Sequence, residues 1–275
     1  EPGRDELATV DGVGEAGMQE RDSTSYASPE AVPKLAEAGE GRRAVLERHP
    51  SLRDVALVPN LRGAQNAAEN GIREVTCVIS ASESHNRANV NRTIDESFDG
   101  LAAIRHALPE LIIRLSLATA FVCPYDGRTP VDAALPCAGR ALEMGVGEVT
   151  FCDTIGWADP LHVSTLAAAA KREWPDTRLG MHLHNTRGMG LANTLAAMLQ
   201  GFDTFETSVG GLGGCPFAPG ASGNTATEDM VNMLQAMGVS SGVSLKKLPD
   251  AVLCVARRVD APLSGSMLRA CDPRD

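Results

Sequence analysis

Short apolar and β-branched segments alternate with segments of helical periodicity along all 275 residues. The helical pattern is clearest after Thr93-x-x-Glu96, a capping box followed by apolar residues three and four positions apart. Such alternation is typical of repeated βα units around a parallel sheet. We predict eight strands: a short one that ends before Arg4, and then residues 19–24, 55–58, 74–79, 111–119, 148–153, 178–184 and 204–209.

Eight strands with helices between them predict an α/β fold, a (β/α)8 TIM barrel formed by residues 1–244. Residues 245–275 are predicted to be a C-terminal helical extension packed on the barrel. One interval is irregular, because the chain between Asp5 and residue 13 leaves room only for a short helix. Either the first βα unit is shortened or the sequence omits residues there.

Composition narrows the functional classes. The net charge of -10 argues against nucleic-acid binding. No apolar run approaches the roughly 20 residues that cross a bilayer, so we expect no membrane span. Seven cysteines, none in a Cys-x-x-Cys pair, favour reduced thiols and a cytoplasmic protein. The chain begins at Glu1, which leaves a removed organellar targeting peptide as an alternative.

The pair His182-x-His184 lies in the seventh predicted strand. Side chains two positions apart on a strand point to the same side, so both imidazoles are expected to face the barrel mouth. Two imidazoles on one face are natural ligands of a divalent metal. Two histidines that hydrogen-bond near a strand end account for the same spacing without a metal.

Arg4 and Asp5 follow the first predicted strand. Because the first and seventh strands of a closed barrel open onto one mouth, Asp5 can join the two histidines there, and Arg4 can bind an oxyanion. A surface ion pair is the alternative. Asn224 adds a neutral oxygen, and such a mixed nitrogen and oxygen set suits Mg²⁺ or Mn²⁺ better than structural zinc.

Other polar residues stand at predicted strand ends, and a glycine-rich loop over residues 208–224 carries Cys215. Barrel enzymes use such positions to bind substrate and to orient bases. Each of them can instead cap the helix that follows. The strand-end residues are Asp22, Ser25, Ser82, Glu83 and Asp153.

Motifs matched in order over nearly the whole chain resemble those of the 3-hydroxy-3-methylglutaryl-CoA lyase family, whose TIM barrels are related to pyruvate carboxyltransferase domains. They include Ser-Ala-Ser-Glu-Ser at 80–84, Cys-Pro-Tyr-Asp-Gly at 123–127, Asp-Thr-Ile-Gly at 153–156, the His-x-His strand, Gly-Gly-Leu-Gly-Gly-Cys-Pro-Phe-Ala at 210–218 and Ala-Thr-Glu-Asp at 226–229. The resemblance implies cleavage of 3-hydroxy-3-methylglutaryl-CoA to acetyl-CoA and acetoacetate with Mg²⁺ or Mn²⁺. It also implies an acyl-CoA substrate, a homodimer, and a place in leucine degradation and ketone-body metabolism.

The resemblance further assigns roles to individual residues. The implied metal ligands are Asp5, His182, His184 and Asn224; the implied catalytic residues are Arg4, Cys215, His182 and Asp153; and the implied substrate-binding residues are Asp22, Ser25 and Ser82. Three features depart from the family pattern. Asp22 stands where the family commonly has Glu, Asn185-Thr186-Arg187 replaces Asp-Thr-Tyr, and the segment after Asp5 lacks Gly-Leu-Gln and further residues.

Three alternatives to this activity stay open. One is a related lyase for a longer branched 3-hydroxyglutaryl-CoA, and the second is a Claisen-type synthase of the same superfamily. The cysteine in the glycine loop favours cleavage, since such synthases typically place Asn-Asp after the second histidine, and this chain has Asn185-Thr186. The third and most distant alternative is a non-catalytic barrel that binds acyl-CoA.

Overall fold

Seven parallel strands form the central sheet of the protein. In a computed structural model, the described residues are 12, 14–18, 20–25, 52–213, 223–256 and 263–270. The sheet strands are β1 (Glu20–Ser25), β2 (Arg53–Leu57), β3 (Glu74–Ser80), β4 (Ile112–Ala118), β7 (Glu148–Asp153), β8 (Leu179–Leu183) and β9 (Thr204–Glu206). They neighbour one another in chain order, and every pairing is parallel. A two-stranded antiparallel hairpin of β5 (Val122–Cys123) and β6 (Gly127–Arg128) follows β4.

Helices alternate with these strands. They are α1 (Leu61–Glu69), α2 (Glu83–Val90), α3 (Ile94–Ala107), α4 (Val131–Glu143), α5 (Pro160–Glu173), α6 (Gly190–Met198), α7 (Thr227–Ala236), α8 (Leu248–Ala256) and α9 (Met267–Ala270). Four of them are preceded by an N-cap residue, namely Asn60, Ser82, Thr93 or Asp159, whose side chain accepts a hydrogen bond from a first-turn amide. At Thr93 and Glu96 both halves of the predicted capping box are present.

The observed strands match seven of the eight predicted ones within about three residues at each end. The predicted strand before Arg4 lies outside the described residues. The largest difference is at β9, which ends at Glu206 instead of residue 209; beyond it the chain forms a single bridge between Ser208 and Ala226. The β5–β6 hairpin was not predicted, because two-residue strands are too short to show an alternating pattern.

The core lies on both faces of the sheet, as expected for parallel strands covered by helices. Aromatic and branched side chains such as Phe98, Leu115 and Phe151 fill it and are almost fully buried. Helix α4 instead turns three fully buried alanines inward, Ala134, Ala138 and Ala141. Small residues let that helix lie close to the strands it covers, with which it is in contact.

Charged residues cluster at the amino-terminal ends of the strands. Arg114 of β4 is nearly buried and binds Glu20 at the start of β1 and Glu74 at the start of β3. Its guanidinium also lies 3.8 Å from Glu148 at the start of β7, and Arg178 Nε lies 2.6 Å from that carboxylate. This network ties four strands of the sheet together.

The described C-terminal helices lie against the rest of the fold. Leu248 of α8 is buried with Ala16 and Val231. Asp229 of α7 accepts hydrogen bonds from the amides of Ser266 and Met267, 2.8 and 2.7 Å away, and so caps α9. The division at residue 245 into a barrel and an extension stays a prediction. Among the helices the structure describes, none has the length and apolar character of a membrane span.

Candidate active site at the carboxyl ends of the strands

The carboxyl ends of three neighbouring strands bring ionisable side chains together. Asp153 is the last residue of β7, His182 lies near the end of β8, and Glu206 is the last residue of β9. Strand register aligns Cys152 with His182, and His182 with Glu206. His184 follows β8 and forms an isolated antiparallel bridge with Asn224. In barrel enzymes this edge of the sheet is the one that carries the active site.

The two imidazoles lie on the same side of the chain, as the His-x-His spacing predicts. Their Nε2 atoms are 3.0 Å apart, and the ring centroids are 4.9 Å apart. His182 Nδ1 lies 2.9 Å from Glu206 Oε2. Because a carboxylate only accepts hydrogen bonds, Nδ1 of His182 carries the proton and, in the neutral ring, its Nε2 lone pair faces His184.

His184 is buried and electrically neutral at ordinary pH. Burial, with a smaller contribution from His182, lowers the pKa of His184 from 6.5 to about 4. Its Nδ1 atom has no hydrogen-bond partner among the described residues. A neutral imidazole keeps a lone pair available, which is the form that binds metals.

Asn224 offers an oxygen to the same site. Its Nδ2 donates to the carbonyl of Leu212, 2.8 Å away, and this bond sets the orientation of the amide. Its Oδ1 is buried and finds no hydrogen-bond partner in the described part of the chain. Gly213 makes the arrangement possible, because its φ is +116° and a Cβ there would lie 2.5 Å from Asn224 Nδ2.

These donors fit a divalent cation. Two imidazole nitrogens converge, and a buried amide oxygen has no partner among the described residues, although buried polar atoms are almost always satisfied in folded proteins. The described residues contain no group of three or more His, Cys, Asp or Glu side chains able to hold a metal. Further oxygen ligands are therefore needed from elsewhere, and the predicted ligand Asp5 lies outside the described residues.

Asp153 is completely buried, and its carboxylate organises the loop that follows β7. Its two oxygens accept hydrogen bonds from the amides of Trp157 and Ala158, 3.0 and 3.1 Å away. Burial raises the pKa of Asp153 to about 6, against the opposing effect of these amides and of His182. The carboxyl group thus titrates close to neutral pH, which suits a general base.

Ser82 is the N-cap of α2. Its hydroxyl donates to Asp126 Oδ2 at 2.6 Å and accepts from the amide of His85 at 3.1 Å. Cys123 Sγ lies 3.1 Å from the same hydroxyl. The single hydroxyl proton of Ser82 is therefore committed to Asp126, and its predicted contact with substrate stays a prediction.

The remaining predicted residues are placed only in part. Asp22 and Ser25 lie in β1, but their side chains fall outside the described part of the structure. Arg4, Asp5 and Cys215 lie outside the described residues altogether. Glu83 is half-exposed on α2, where it pairs with Arg87 at 2.9 Å and accepts from the amide of Ile94, so it acts as a helix-end residue.

Glu206 is the site residue that the sequence did not reveal. The eighth strand was predicted to continue to residue 209, which put Glu206 in its interior and not at its end. Had the strand been predicted to end at Glu206, the position of this carboxylate at a strand end would have made it a candidate site residue, as it did for Asp153. The register that sets it beside His182 depends on strands paired in the folded protein.

The sequence profile of the HMGL-like family matches residues 40–255. The chain is 36% identical over 267 residues to a hydroxymethylglutaryl-CoA lyase of Bacillus subtilis, covering 96% of this chain and 89% of that protein. The crystal structure of the HMG-CoA lyase of Bacillus subtilis superposes with a TM-score of 0.90 at 36% identity, over 97% of this chain and 90% of the other.

An HMG-CoA lyase from Acinetobacter baumannii, solved in complex with coenzyme A and 3-methylmalate, is 33% identical and superposes with a TM-score of 0.89. That match covers 98% of this chain and 88% of the other. The carboxyltransferase domain of Rhizobium etli pyruvate carboxylase matches at 15% identity with a TM-score of 0.67, over 94% of this chain and 46% of that one, which is a likeness of fold alone. These comparisons confirm the predicted TIM barrel and the family resemblance.

Proposed function

The chain belongs to the HMGL-like family, and from that membership we propose that it is a hydroxymethylglutaryl-CoA lyase, which cleaves 3-hydroxy-3-methylglutaryl-CoA to acetyl-CoA and acetoacetate. The observation that carries the proposal is the pair of Nε2 atoms of His182 and His184, which lie 3.0 Å apart. The backbone of His184 is bridged to that of Asn224, whose buried Oδ1 has no hydrogen-bond partner among the described residues. Relatives that share most of the chain bear the same activity in their names.

The residues that would hold a divalent cation are His182, His184, Asn224 and Asp5. Mg²⁺ and Mn²⁺ are the proposed ions, because the set mixes imidazole nitrogens with oxygens. A bound divalent ion supplies a Lewis acid, which lowers the pKa of the substrate's 3-hydroxyl and neutralises charge on its oxygens.

The reaction needs a base that removes the proton of the 3-hydroxyl. If His182 holds the cation through Nε2, both of its nitrogens are engaged, since Nδ1–H is bonded to Glu206. Asp153 is then the favoured base among the described residues, because burial raises its pKa to about 6. His182 stays the alternative base.

Loss of that proton lets the carbon–carbon bond break. The 3-carbon becomes the ketone of acetoacetate, and the bonding electrons pass to the thioester fragment as an enolate, whose charge Arg4 would stabilise. Cys215 then protonates the enolate carbon to give acetyl-CoA, with His182 as the alternative donor. A free thiol has a pKa of about 8.5, so an unperturbed Cys215 holds its proton at neutral pH.

The decisive experiment incubates the purified protein with 3-hydroxy-3-methylglutaryl-CoA, with and without Mg²⁺, and follows acetoacetate. We expect acetoacetate only with the metal. A longer branched 3-hydroxyglutaryl-CoA in parallel tests substrate length, and the reverse condensation tests the synthase. The absence of metal-dependent product at high protein concentration would contradict the proposal.

Replacement of Cys215 by Ser tests the proposed proton donor. Serine is a far weaker acid than a thiol, so turnover is expected to fall by orders of magnitude while Mn²⁺ binding persists. Unchanged turnover removes Cys215 from the mechanism. Loss of Mn²⁺ binding as well as turnover shows instead that the substitution disturbs the site.

We also propose an acyl-CoA substrate, a homodimer and a cytoplasmic location, with a place in leucine degradation and ketone-body metabolism. Coenzyme A in the related Acinetobacter baumannii structure supports the first of these. Mass measurement in solution tests the dimer. Mn²⁺ titration separates an enzyme from a barrel that only binds acyl-CoA, because the latter predicts no Mn²⁺ binding that depends on His184.

A further inference from the structure

Glu206 makes hydrogen-bond contacts with His182 of the histidine pair and with Thr150 of β7. Its Oε2 lies 2.9 Å from His182 Nδ1, and its Oε1 accepts a hydrogen bond from Thr150 Oγ1 at 3.2 Å. His182 belongs to β8, Thr150 to β7 and Glu206 to β9. One carboxylate therefore joins three neighbouring strands, with one oxygen committed to each neighbour.

The space for this crossing is created by Gly180 of β8. Strand register places Gly180 beside Thr150 of β7 on one side and Thr204 of β9 on the other. Gly180 precedes His182 by two residues and so lies on the same face of β8. A Cβ at Gly180 would lie 2.8 Å from Thr150 Oγ1 and 3.4 Å from Glu148 Oε1. A side chain at position 180 would thus displace the hydroxyl that holds Glu206.

The consequence for His182 follows from hydrogen-bond chemistry. A carboxylate has no proton to donate, so the hydrogen bond requires a proton on Nδ1 of His182. A neutral imidazole carries one proton, which leaves the Nε2 lone pair facing His184. Without this acceptor the proton can move to Nε2, where it would block that lone pair.

We propose that Glu206 is a positioning residue that fixes the tautomer and ring orientation of His182, and that Thr150 fixes Glu206 in turn, so that His182 presents the Nε2 lone pair to a divalent cation. The inference rests on the proposed function for the identity of the cation site. Carboxylates behind metal-binding histidines have this effect in other proteins, and their loss weakens metal affinity about 10–100-fold.

Three variants distinguish an effect of the His182 tautomer on Mn²⁺ binding from an effect of the negative charge of Glu206. Glu206→Met removes the acceptor at similar size and is expected to weaken Mn²⁺ binding about 10–100-fold. Glu206→Gln removes the charge but keeps an amide oxygen that can accept from Nδ1–H, so its Mn²⁺ affinity is expected to stay within a few-fold of wild type. Thr150→Val keeps the shape but removes the donor to Glu206, and a few-fold loss is expected.

The experiment measures free Mn²⁺ by electron paramagnetic resonance during titration, together with the nitrogen-15 shifts of His182 in metal-free protein. We expect the Nδ1–H tautomer in the wild type and in Glu206→Gln, and a shift towards Nε2–H in Glu206→Met. Glu83→Gln is the matched control, because that half-exposed carboxylate pairs with Arg87 on α2; it should change neither measurement.

Two results would overturn the inference: wild-type Mn²⁺ affinity in Glu206→Met, or equal losses in Glu206→Gln and Glu206→Met, which would indicate that charge acts and not the tautomer. The first of these results, together with a lower melting temperature of Glu206→Met, would indicate a purely structural role for Glu206. If the wild type binds Mn²⁺ in a Glu206-dependent way but releases no acetoacetate, the proposed lyase activity fails and the inference stands.

Discussion

The two ends of the barrel use charged and polar groups in opposite ways. At the amino-terminal end, Arg114 binds Glu20 and Glu74, and Arg178 reaches Glu148, so each carboxylate lies within ion-pair distance of a guanidinium. Glu148 Oε2 has no hydrogen bond within the described chain, but Arg178 lies beside it and offsets its charge. At the carboxyl-terminal end, buried side-chain atoms that carry no charge have no hydrogen-bond partner within the described chain, namely His184 Nδ1 and Asn224 Oδ1. Groups that satisfy one another stabilise a fold, whereas groups left unsatisfied are available to a ligand.

The pKa shifts follow the same division except at Glu148 of the amino-terminal end, where burial raises the pKa despite Arg114 and Arg178. At the amino-terminal end, burial alone would raise the pKa of Glu20, but Arg114 and its neighbours hold it below its ordinary value. At the carboxyl-terminal end, burial prevails: it raises the pKa of Asp153 to about 6 and lowers that of His184 to about 4. Strong shifts caused by burial in a cluster of polar groups are typical of functional sites.

The largest expected effect is at the carboxyl-terminal end. His184→Ala removes one proposed ligand, so Mn²⁺ affinity should fall by more than about 100-fold, beyond the usual cost of losing a supporting residue. Turnover should fall about 10³-fold or more, since metal assistance supplies several kcal/mol. Mn²⁺ titration and acetoacetate release measure both. His106→Ala, at an exposed histidine of α3, should change neither; metal binding that survives in His184→Ala would contradict the assignment.

For a substitution at the amino-terminal end we expect a loss of stability without a loss of metal binding. Arg114→Met leaves Glu74 and Glu148 buried without their central cation, and we expect unfolding to become easier by about 3–5 kcal/mol. Urea denaturation measures this. Arg53→Met is the control, because that guanidinium is 42% exposed and should cost no more than about 1 kcal/mol. Similar losses in the two variants, or weakened Mn²⁺ binding in Arg114→Met, would remove the contrast between the ends.

Because the pKa of Asp153 is raised, we expect the stability difference between the wild type and Asp153→Asn to depend on pH. The native protein keeps the Asp153 proton up to about pH 6, while the unfolded chain releases it near 3.8. Folding therefore becomes about 3 kcal/mol less favourable, through this group, as pH rises from below 3.8 to above 6. Asparagine does not titrate, so Asp153→Asn should gain about that much relative to wild type over this range.

Urea unfolding of both metal-free proteins between pH 4 and 7 measures this difference. Asp153→Asn also loses a hydrogen bond from a backbone amide, and that loss lowers the free energy of unfolding equally at every pH. The lowered pKa of His184 makes folding more favourable as pH rises, but it does so in both proteins. Neither effect changes how the stability difference between variant and wild type depends on pH. A difference independent of pH would show that Asp153 is ionised throughout.

The smallest effect is expected at an exposed ion pair on the helix that follows β3. Arg87 and Glu83 form an i,i+4 pair on α2 with half-exposed side chains, and Arg87→Ala should cost no more than about 0.5 kcal/mol. Thermal unfolding measures it, and Mn²⁺ affinity should not move. A cost of several kcal/mol would mean that exposed pairs contribute as much as the buried Arg114 network.

Local features of the fold could be predicted from the sequence. The alternation of strands and helices, the capping box at Thr93 and Glu96 and the shared direction of His182 and His184 all depend on residues a few positions apart. The backbone geometry of a helix or a strand determines such relations, so they can be inferred without knowledge of the rest of the chain. The same reasoning placed Asp153 at the end of its strand.

Only the tertiary structure decided which groups each of these residues meets. Glu206 lies beside His182, and Arg114 beside Glu20, because strands far apart in the sequence pair in a particular register. Ser82 likewise donates its hydroxyl hydrogen bond to Asp126, 44 positions away, and no local sequence pattern predicts this partner. A shift of one residue in register turns a strand's side chains to the other face, so these partners are determined by how the strands pair and pack across the sheet.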